Sequence, residues 1–128
     1  MKILALGDVI GSEGVDYVCS RLRAFKRENK IDFTVINGEN SAKANGIDPL
    51  SAENLLAGGA DVITTGNHVY RINAVYDYLD TSEFVIRPAN YPRILSGRWI
   101  HHCRLRISAH AGNERTRHNV YGAPWQSF

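Results

Sequence analysis

Short apolar runs that end in glycine or proline recur along most of this chain, and they constrain its fold more than any other feature. Lys2–Leu6, Phe33–Ile36 and Val62–Thr65 are too short for stable helices and almost free of charge. Such runs predict strands that are buried on both faces, as in parallel sheets covered by helices. A fourth run, Phe84–Ile86, is followed closely by Pro88 and predicts a fourth strand.

Helical segments separate these runs. Between Val15 and Lys30 the apolar residues recur at helical spacing. Asp48–Gly59 begins with an aspartate before a proline and ends in two glycines, which are typical helix start and stop signals. A third helix is predicted around Ala74–Leu79. The resulting βαβαβαβ order predicts an α/β fold with a parallel sheet and right-handed crossovers.

Composition limits the class of protein further. A chain of 128 residues with 44% hydrophobic residues fits one small globular domain. A net charge of +2 does not by itself indicate a nucleic-acid binder. No apolar run is long enough for a secretory signal or a membrane span, and Cys19 and Cys103 form no spacing motif. We therefore expect a cytoplasmic protein with reduced thiols and no membrane partner.

Polar side chains with metal-binding chemistry follow three of the predicted strands. Asp8 follows the first, Glu39 and Asn40 follow the second, and Asn67 and His68 follow the third. Ligands of open parallel sheets bind beyond the carboxyl ends of the strands, so these side chains are expected to share one crevice. Oxygen and nitrogen donors without thiolates favour iron, manganese, magnesium or zinc. Two such ions can clamp the attacking and leaving oxygens of a phosphoryl transfer.

Each of these pairs, taken alone, has a simpler interpretation. Glycine followed by Asp or Asn is common in ordinary turns, and a single histidine is more often a hydrogen-bonded surface residue. Three such endings on successive strands favour the functional interpretation.

The ordered set of motifs resembles the calcineurin-like metallophosphoesterases, in particular the bacterial 2',3'-cyclic-nucleotide 2'-phosphodiesterases. The similarity extends from Met1 to Pro92 and implies the first half of a metallophosphoesterase sandwich. Its motifs are Gly7-Asp8-Val9-Ile10-Gly11, Asn37-Gly38-Glu39-Asn40, Gly46-Ile47-Asp48-Pro49, Thr65-Gly66-Asn67-His68 and Arg87-Pro88-Ala89-Asn90-Tyr91-Pro92.

The resemblance also implies roles for five residues. Asp8 and Asn40 would bind the first metal, Glu39 would bridge both metals, and Asn67 would bind the second. His68 would donate a proton to the leaving oxygen without binding a metal. Iron is the metal implied for this subfamily, with manganese or magnesium as alternatives. The implied substrate is a small cyclic nucleotide or a related phosphoester.

The segment after Pro92 departs from that family. Residues 1–83 carry a net charge of −4, whereas residues 84–128 carry seven arginines, no lysine and a single acid, Glu114. The family continues through a second β/α half that supplies further histidines, including a His-x-His pair, which this chain lacks. The four histidines of the segment are not expected to bind metal, and they are His101, His102, His110 and His118.

Two interpretations of residues 93–128 stay open. A reading-frame slip after Pro92 would explain the arginine-rich composition, because a frame shifted by one base can encode a Pro-Gly turn and a β-branched strand. The alternative is a divergent basic tail. Under either interpretation, the first 92 residues would leave one sheet edge and part of an apolar face uncovered. We therefore expect a truncated enzyme with weak metal binding and little or no activity.

Two other classes of function remain alternatives. Gly7, Gly11 and Gly14 resemble a phosphate-binding loop and would suit a non-hydrolytic nucleotide-binding module. The basic tail, with Trp99 and Tyr121 for stacking, would suit an RNA-binding protein. Steeply salt-dependent RNA binding would distinguish the latter. A homo-oligomer is also left open.

Overall fold

Four parallel strands in chain order form the main sheet of the computed structural model, which describes residues 1–105 and 116–121 and the side chains up to residue 103. The strands are β1 (Ile3–Leu6), β2 (Phe33–Asn37), β3 (Val62–Thr64) and β4 (Val85–Ile86). The connecting helices are α1 (Gly11–Asn29), α2 (Pro49–Gly58) and α3 (Val75–Thr81). The predicted βαβαβαβ order and parallel sheet are therefore confirmed. None of the described helices is both long and apolar enough to cross a bilayer.

Local sequence signals account for the ends of the helices. At the start of α2, the Asp48 carboxylate accepts a hydrogen bond from the Ser51 backbone N–H at 2.7 Å, and the Ser51 hydroxyl accepts one from the Asp48 N–H. Pro49 occupies the first turn, where its missing N–H costs nothing. At the end of α1, Lys30 adopts a left-handed conformation with φ of 53°, and its N–H bonds back to the last turn.

The three helices cover one face of the sheet. Ile36, Ile63 and Val85 are in register on β2, β3 and β4, and all three are fully buried. They belong to the main apolar cluster, to which the helices contribute Val15, Leu22, Ala52, Leu55, Val75 and Leu79. Strand residues alternate between faces, so the other face of the sheet carries Phe33, Val62 and Ile86. Cys103 packs against this second face.

The prediction that the first strand is fully buried was wrong. β1 is an edge strand that pairs only with β2 among the described elements. Ile3 is 53% exposed, Ala5 is exposed, and Leu4 and Leu6 are half-buried. An apolar run has the same appearance in a central strand and in a partly exposed edge strand, so periodicity alone could not separate the two.

Part of the segment after Pro92 forms structure that its pattern did not predict. β5 (Ile100–Leu105) pairs antiparallel with β6 (Thr116–Tyr121) in a separate two-stranded sheet. His101 is buried and its Nδ1 lies 2.7 Å from the Glu83 carbonyl, whereas His102 is exposed, as alternation along a strand requires. His110 lies outside the described residues, as does the side chain of His118.

Two leucines of α2 provide a matched test of this packing. Leu55 is fully buried under the sheet, whereas Leu50, one helical turn and a half earlier, is 71% exposed. Leu55→Ala should lower the free energy of unfolding by about 2 to 5 kcal/mol, because it leaves a cavity in the core. Leu50→Ala should change it by no more than about 0.5 kcal/mol. Urea denaturation followed by circular dichroism measures both, and equal effects would contradict this account of the core.

Candidate functional site

Backbone hydrogen bonds fix the loops that follow the first three strands beside one another. The Val9 N–H donates to the Asn37 carbonyl at 3.0 Å, and the Gly38 N–H donates to the Thr64 carbonyl at 3.0 Å. Beyond the sheet, the Gly11 N–H donates to the Asn40 carbonyl at 2.9 Å. The parallel pairing of β1, β2 and β3 thus continues into the loops that carry the predicted site residues.

The side-chain amide of Asn40 connects two of those residues. Its Nδ2 donates to Asp8 Oδ1 at 2.5 Å, and its Oδ1 lies 2.6 Å from Nδ1 of His68. Because an amide oxygen can only accept, Nδ1 of His68 carries the proton in this hydrogen bond. The Asn40 amide therefore fixes both the position and the tautomer of the His68 ring, and it leaves Nε2 outside this hydrogen bond.

Glu39 occupies the space above Gly66. A Cβ atom at Gly66 would lie within 2.7 Å of all three atoms of the Glu39 carboxylate, so no larger residue fits there without displacing it. Oε2 of Glu39 also accepts a long hydrogen bond, 3.4 Å, from the backbone N–H of His68. The loop after the third strand therefore holds the Glu39 carboxylate, which follows the second strand. Glycine is needed at position 66 for steric reasons and not for its backbone conformation, because φ of Gly66 is not positive.

Asp8 has an uncommon backbone conformation. Its φ is 42°, in the left-handed region that aspartate tolerates better than most residues. The preceding residue, Gly7, has open space around it. A left-handed residue directly after a strand turns the chain sharply, and here the turn leaves the Asp8 carboxylate within reach of Asn40.

The structure brings four of the five predicted site residues into one hydrogen-bonded group. Asp8, Asn40, His68 and Glu39 are connected in that order by the contacts described above. Asn67 is adjacent to His68 in sequence, but within the described part of the chain its exposed side chain makes no hydrogen bond to the group. Asn67 therefore lies at the same sheet edge without being held there by the other four.

The donor set suits a hard metal ion. Two carboxylates, two amides and one imidazole offer oxygen and nitrogen without sulfur. The described donors would fill only part of the coordination of two six-coordinate ions. Across residues 1–105 and 116–121, no three side chains of the His, Cys, Asp or Glu types are arranged to hold one ion.

A buried arginine, Arg87, supports the loop beyond β4. In the sequence this arginine was noted only as part of a motif. Arg87 is 1% exposed, and its guanidinium donates to the carbonyls of Gly97, Pro88 and Tyr91. Five fixed donors allow a single arginine to hold several turns of loop backbone. The apolar run before Arg87 and the proline after it were visible in the sequence. The carbonyls to which the guanidinium donates could not be predicted, because they depend on how the loop folds.

Aromatic side chains pack against the same loop, and sequence reasoning assigned them no role. The hydroxyl of Tyr70 donates to the Ser96 carbonyl at 2.7 Å, and its ring contacts Tyr76 and Tyr91. Burial raises the pKa of Tyr70, so its phenol stays neutral and keeps donating. Tyr70 follows His68 by two residues, so these contacts anchor the segment that carries the candidate acid.

Gly66 and Gly7 offer a matched test of the site. Gly66→Ala should displace the Glu39 carboxylate and lower the free energy of unfolding by about 1 to 3 kcal/mol through overpacking. Gly7→Ala should change it by no more than about 0.5 kcal/mol, because nothing lies within 4 Å of the added methyl group. Thermal denaturation gives the stabilities, and the amide chemical shift of His68 reports whether Glu39 has moved. An unchanged His68 amide in Gly66→Ala would contradict the packing described here.

Comparisons with solved structures support the fold. A crystal structure of a protein from Thermus thermophilus matches with a TM-score of 0.72 and 34% identity, over 84% of this chain and 41% of that one. A phosphatase from Mycoplasma pneumoniae matches with a TM-score of 0.74 and 21% identity, over 91% of this chain and 47% of that one. The second match shows the fold alone.

Sequence comparisons identify the family. A 2',3'-cyclic-nucleotide 2'-phosphodiesterase from Bacillus subtilis is 40% identical over 100 residues, which cover 78% of this chain and 38% of the relative. This chain therefore spans less than half the length of that relative. The resemblance noted from the motifs is confirmed, and the family model for YmdB-like proteins matches residues 4–119. The chain belongs to the YmdB-like protein family.

Proposed function

We propose that this chain carries the metal-binding half of a phosphodiesterase site that acts on a small cyclic nucleotide or a related phosphoester. The observation that carries the proposal is the hydrogen-bonded group of Asp8, Asn40, His68 and Glu39 at the ends of successive parallel strands. Its chemistry agrees with the name of the Bacillus subtilis relative. On this proposal the enzyme works in the cytoplasm.

Four residues would hold the metal ions. Asp8 and Asn40 would bind one ion, Asn67 the other, and Glu39 would bridge them. The Asn40 oxygen has two lone pairs, so its hydrogen bond to His68 leaves one for an ion. When bound, the ions supply positive charge that stabilises the transferring phosphoryl group and makes water a better nucleophile. Iron is the proposed metal, with manganese or magnesium as alternatives.

His68 is the proposed general acid. Because Nδ1 is engaged by Asn40, Nε2 is the atom that can donate a proton to the leaving oxygen. An imidazole exchanges protons near neutral pH, which suits this step. The same bond restricts ring rotation, so the acid is positioned before substrate arrives.

The four proposed ligands are fewer than two metal ions require. The polypeptide of 128 residues alone should therefore bind metal weakly and turn over slowly or not at all. Longer relatives carry more than half of their length outside the matched region.

Different mutations are expected to impair metal binding and proton donation separately. Asp8→Asn should weaken Mn²⁺ binding by about tenfold or more, because it removes an anionic ligand. Asp16→Asn, on the exposed side of α1, is the matched control and should leave Mn²⁺ binding unchanged. Free Mn²⁺ measured by electron paramagnetic resonance gives both affinities.

His68→Ala completes that experiment. It should retain Mn²⁺ affinity while any hydrolysis of 2',3'-cyclic AMP falls by about 10² to 10⁴-fold. Mn²⁺ binding that survives Asp8→Asn, or hydrolysis that survives His68→Ala, would contradict the assigned roles.

We further propose that residues 1–92 form the family's N-terminal half and that the segment from residue 93 is out of frame with it, although the match to the family model extends to residue 119. The coding DNA beyond the Pro92 codon, read one base later, should encode a Pro-Gly turn, a β-branched strand and, further on, a His-x-His segment. Sequencing the locus tests this. A single continuous frame whose close relatives share the basic tail would contradict it.

A further inference from the structure

Basic residues are concentrated at the end of the main sheet that lies opposite to the candidate metal site. Residues 1–83 contain eight lysines and arginines, and five of these lie near the amino-terminal ends of β1 and β2. The five residues are Lys2, Arg23, Lys26, Arg27 and Lys30. The last four line an open cavity of about 670 Å³ between the ends of α1 and α2. The acidic first part of the chain therefore has one basic end.

Two of the four cations in this cavity have structural partners. Nζ of Lys26 donates to the Gly59 carbonyl at 2.8 Å and forms an ion pair with Asp61 at 2.7 Å. The guanidinium of Arg23 donates to the Ala57 carbonyl at 2.5 Å. Both carbonyls belong to the end of α2, where the partial negative charge of the helix favours cations. Packing of α1 against the end of α2 therefore accounts for Arg23 and Lys26.

Arg27 and Lys30 have no such partner. Among the residues that the structure describes, neither side chain forms a hydrogen bond or an ion pair. The second carboxylate of the cavity, that of Asp32, already accepts from the Lys2 backbone N–H at 2.6 Å. Four cations and two carboxylates line the cavity, which gives it a net charge of +2. Two exposed cations on one wall are thus available to bind an anion.

The ends of the two helices do not leave free carbonyls to repel that anion. Helix ends carry partial negative charge because their last carbonyls lack helical partners. At the end of α1, these carbonyls accept from the backbone N–H groups of Lys30 and Ile31. At the end of α2, the backbone N–H groups of Gly59 and Ala60 donate in the same way. The charge of the two free cations is therefore only weakly offset.

The rest of the lining indicates what kind of anion fits. Ile31, Leu56 and Ala60 contribute apolar surface to the same cavity. Asp32 offers carboxylate oxygens that accept from hydroxyl or amino groups. The volume of the cavity is within the range of about 300 to 1,000 Å³ that small-molecule sites occupy. Cations, an apolar wall and an acceptor together match a ligand that has phosphates, a flat apolar ring and hydroxyl groups.

We propose that this cavity binds a nucleoside di- or triphosphate, with its phosphates at Arg27 and Lys30 and its base against Leu56. Both types of cation bind phosphate, arginine through its planar fork and lysine as a point charge. The site is separate from the proposed metal site. Asp32 precedes β2 and Glu39 follows it, so the two ends are on the order of 20 Å apart. The nucleotide is therefore a second ligand and not the substrate.

Calorimetric titration of the full chain with ATP tests the proposal. EDTA is present throughout, so that no metal ion takes part in binding. We expect one ATP to bind per chain, pyrophosphate to bind at least tenfold more weakly, and adenosine to bind more weakly than ATP, because each supplies only part of the contacts. No binding of ATP at millimolar concentration, or equal affinity for ATP and pyrophosphate, would overturn the proposal.

Two double variants locate the site. Arg27→Gln combined with Lys30→Gln should weaken ATP binding at least tenfold, and both side chains are exposed, so the fold should be retained. Arg21→Gln combined with Lys43→Gln is the matched control. It removes the same number of charges from exposed positions outside the cavity and should change ATP affinity by less than about twofold. Circular dichroism establishes that each variant is folded.

Three results would refute the assignment of the cavity. One is equal ATP affinity in the two double variants. Another is loss of ATP binding in Asp8→Asn, which would place the nucleotide at the proposed metal site. The third is an RNA oligonucleotide that binds through Arg27 and Lys30 at least tenfold more tightly than ATP, since a nucleic acid would then be the occupant. Neither metal nor hydrolysis enters these measurements, so their failure would leave the roles proposed for Asp8 and His68 untouched.

Discussion

Parallel pairing between β1, β2 and β3 is the constraint on which the whole site depends. Ile36 is in register with Leu6 on one side and Ile63 on the other, so the three strands end almost level. Each ending then contributes one or two polar side chains to the same crevice. A slip of a single residue in β2 would turn Glu39 to the other side of the sheet and separate Asn40 from His68. The buried side chains that fix the register thus also position the chemistry.

Within that crevice, a neutral amide connects an anion to an imidazole. Asn40 donates to Asp8 and accepts from His68, so neither hydrogen bond requires a second charge beside Asp8. An aspartate in its place would repel the Asp8 carboxylate. The amide thus connects the two side chains without placing a further charge between them.

Sequence patterns predicted those parts of the fold that local signals determine. The capping carboxylate of Asp48, followed by Pro49, specified the helix start, and the short apolar runs specified the strands, without reference to distant residues. They also predicted that the strand-end residues would meet, because a parallel sheet leaves no other arrangement. The same patterns could not show which pairs would bond. That Asn40 approaches His68 and that Glu39 lies over Gly66 depends on the loops, whose conformations come from tertiary contacts.

The misjudged burial of β1 has the same origin. Burial of an apolar strand depends on what packs beside it, and the sequence of the strand does not contain that information. Arg87 illustrates the converse case. Arginine is normally a surface residue, but here it is buried and its guanidinium donates hydrogen bonds to three backbone carbonyls. In both cases the outcome is decided by partners far from the residue in sequence.

The open edge and the incomplete donor set are connected through β1 itself. Asp8 follows the carboxyl end of β1, so any strand that pairs in parallel with β1 ends beside Asp8. The residues that follow such a strand would enter the crevice from the one side that β2 and β3 do not occupy. A parallel strand at this edge would therefore have two consequences: it would cover the exposed Ile3 and Ala5, and it would bring the residues that follow it to the metal site proposed at Asp8. A partner that only covered the apolar face from above would give the first consequence without the second, because its chain would not run along β1 to Asp8.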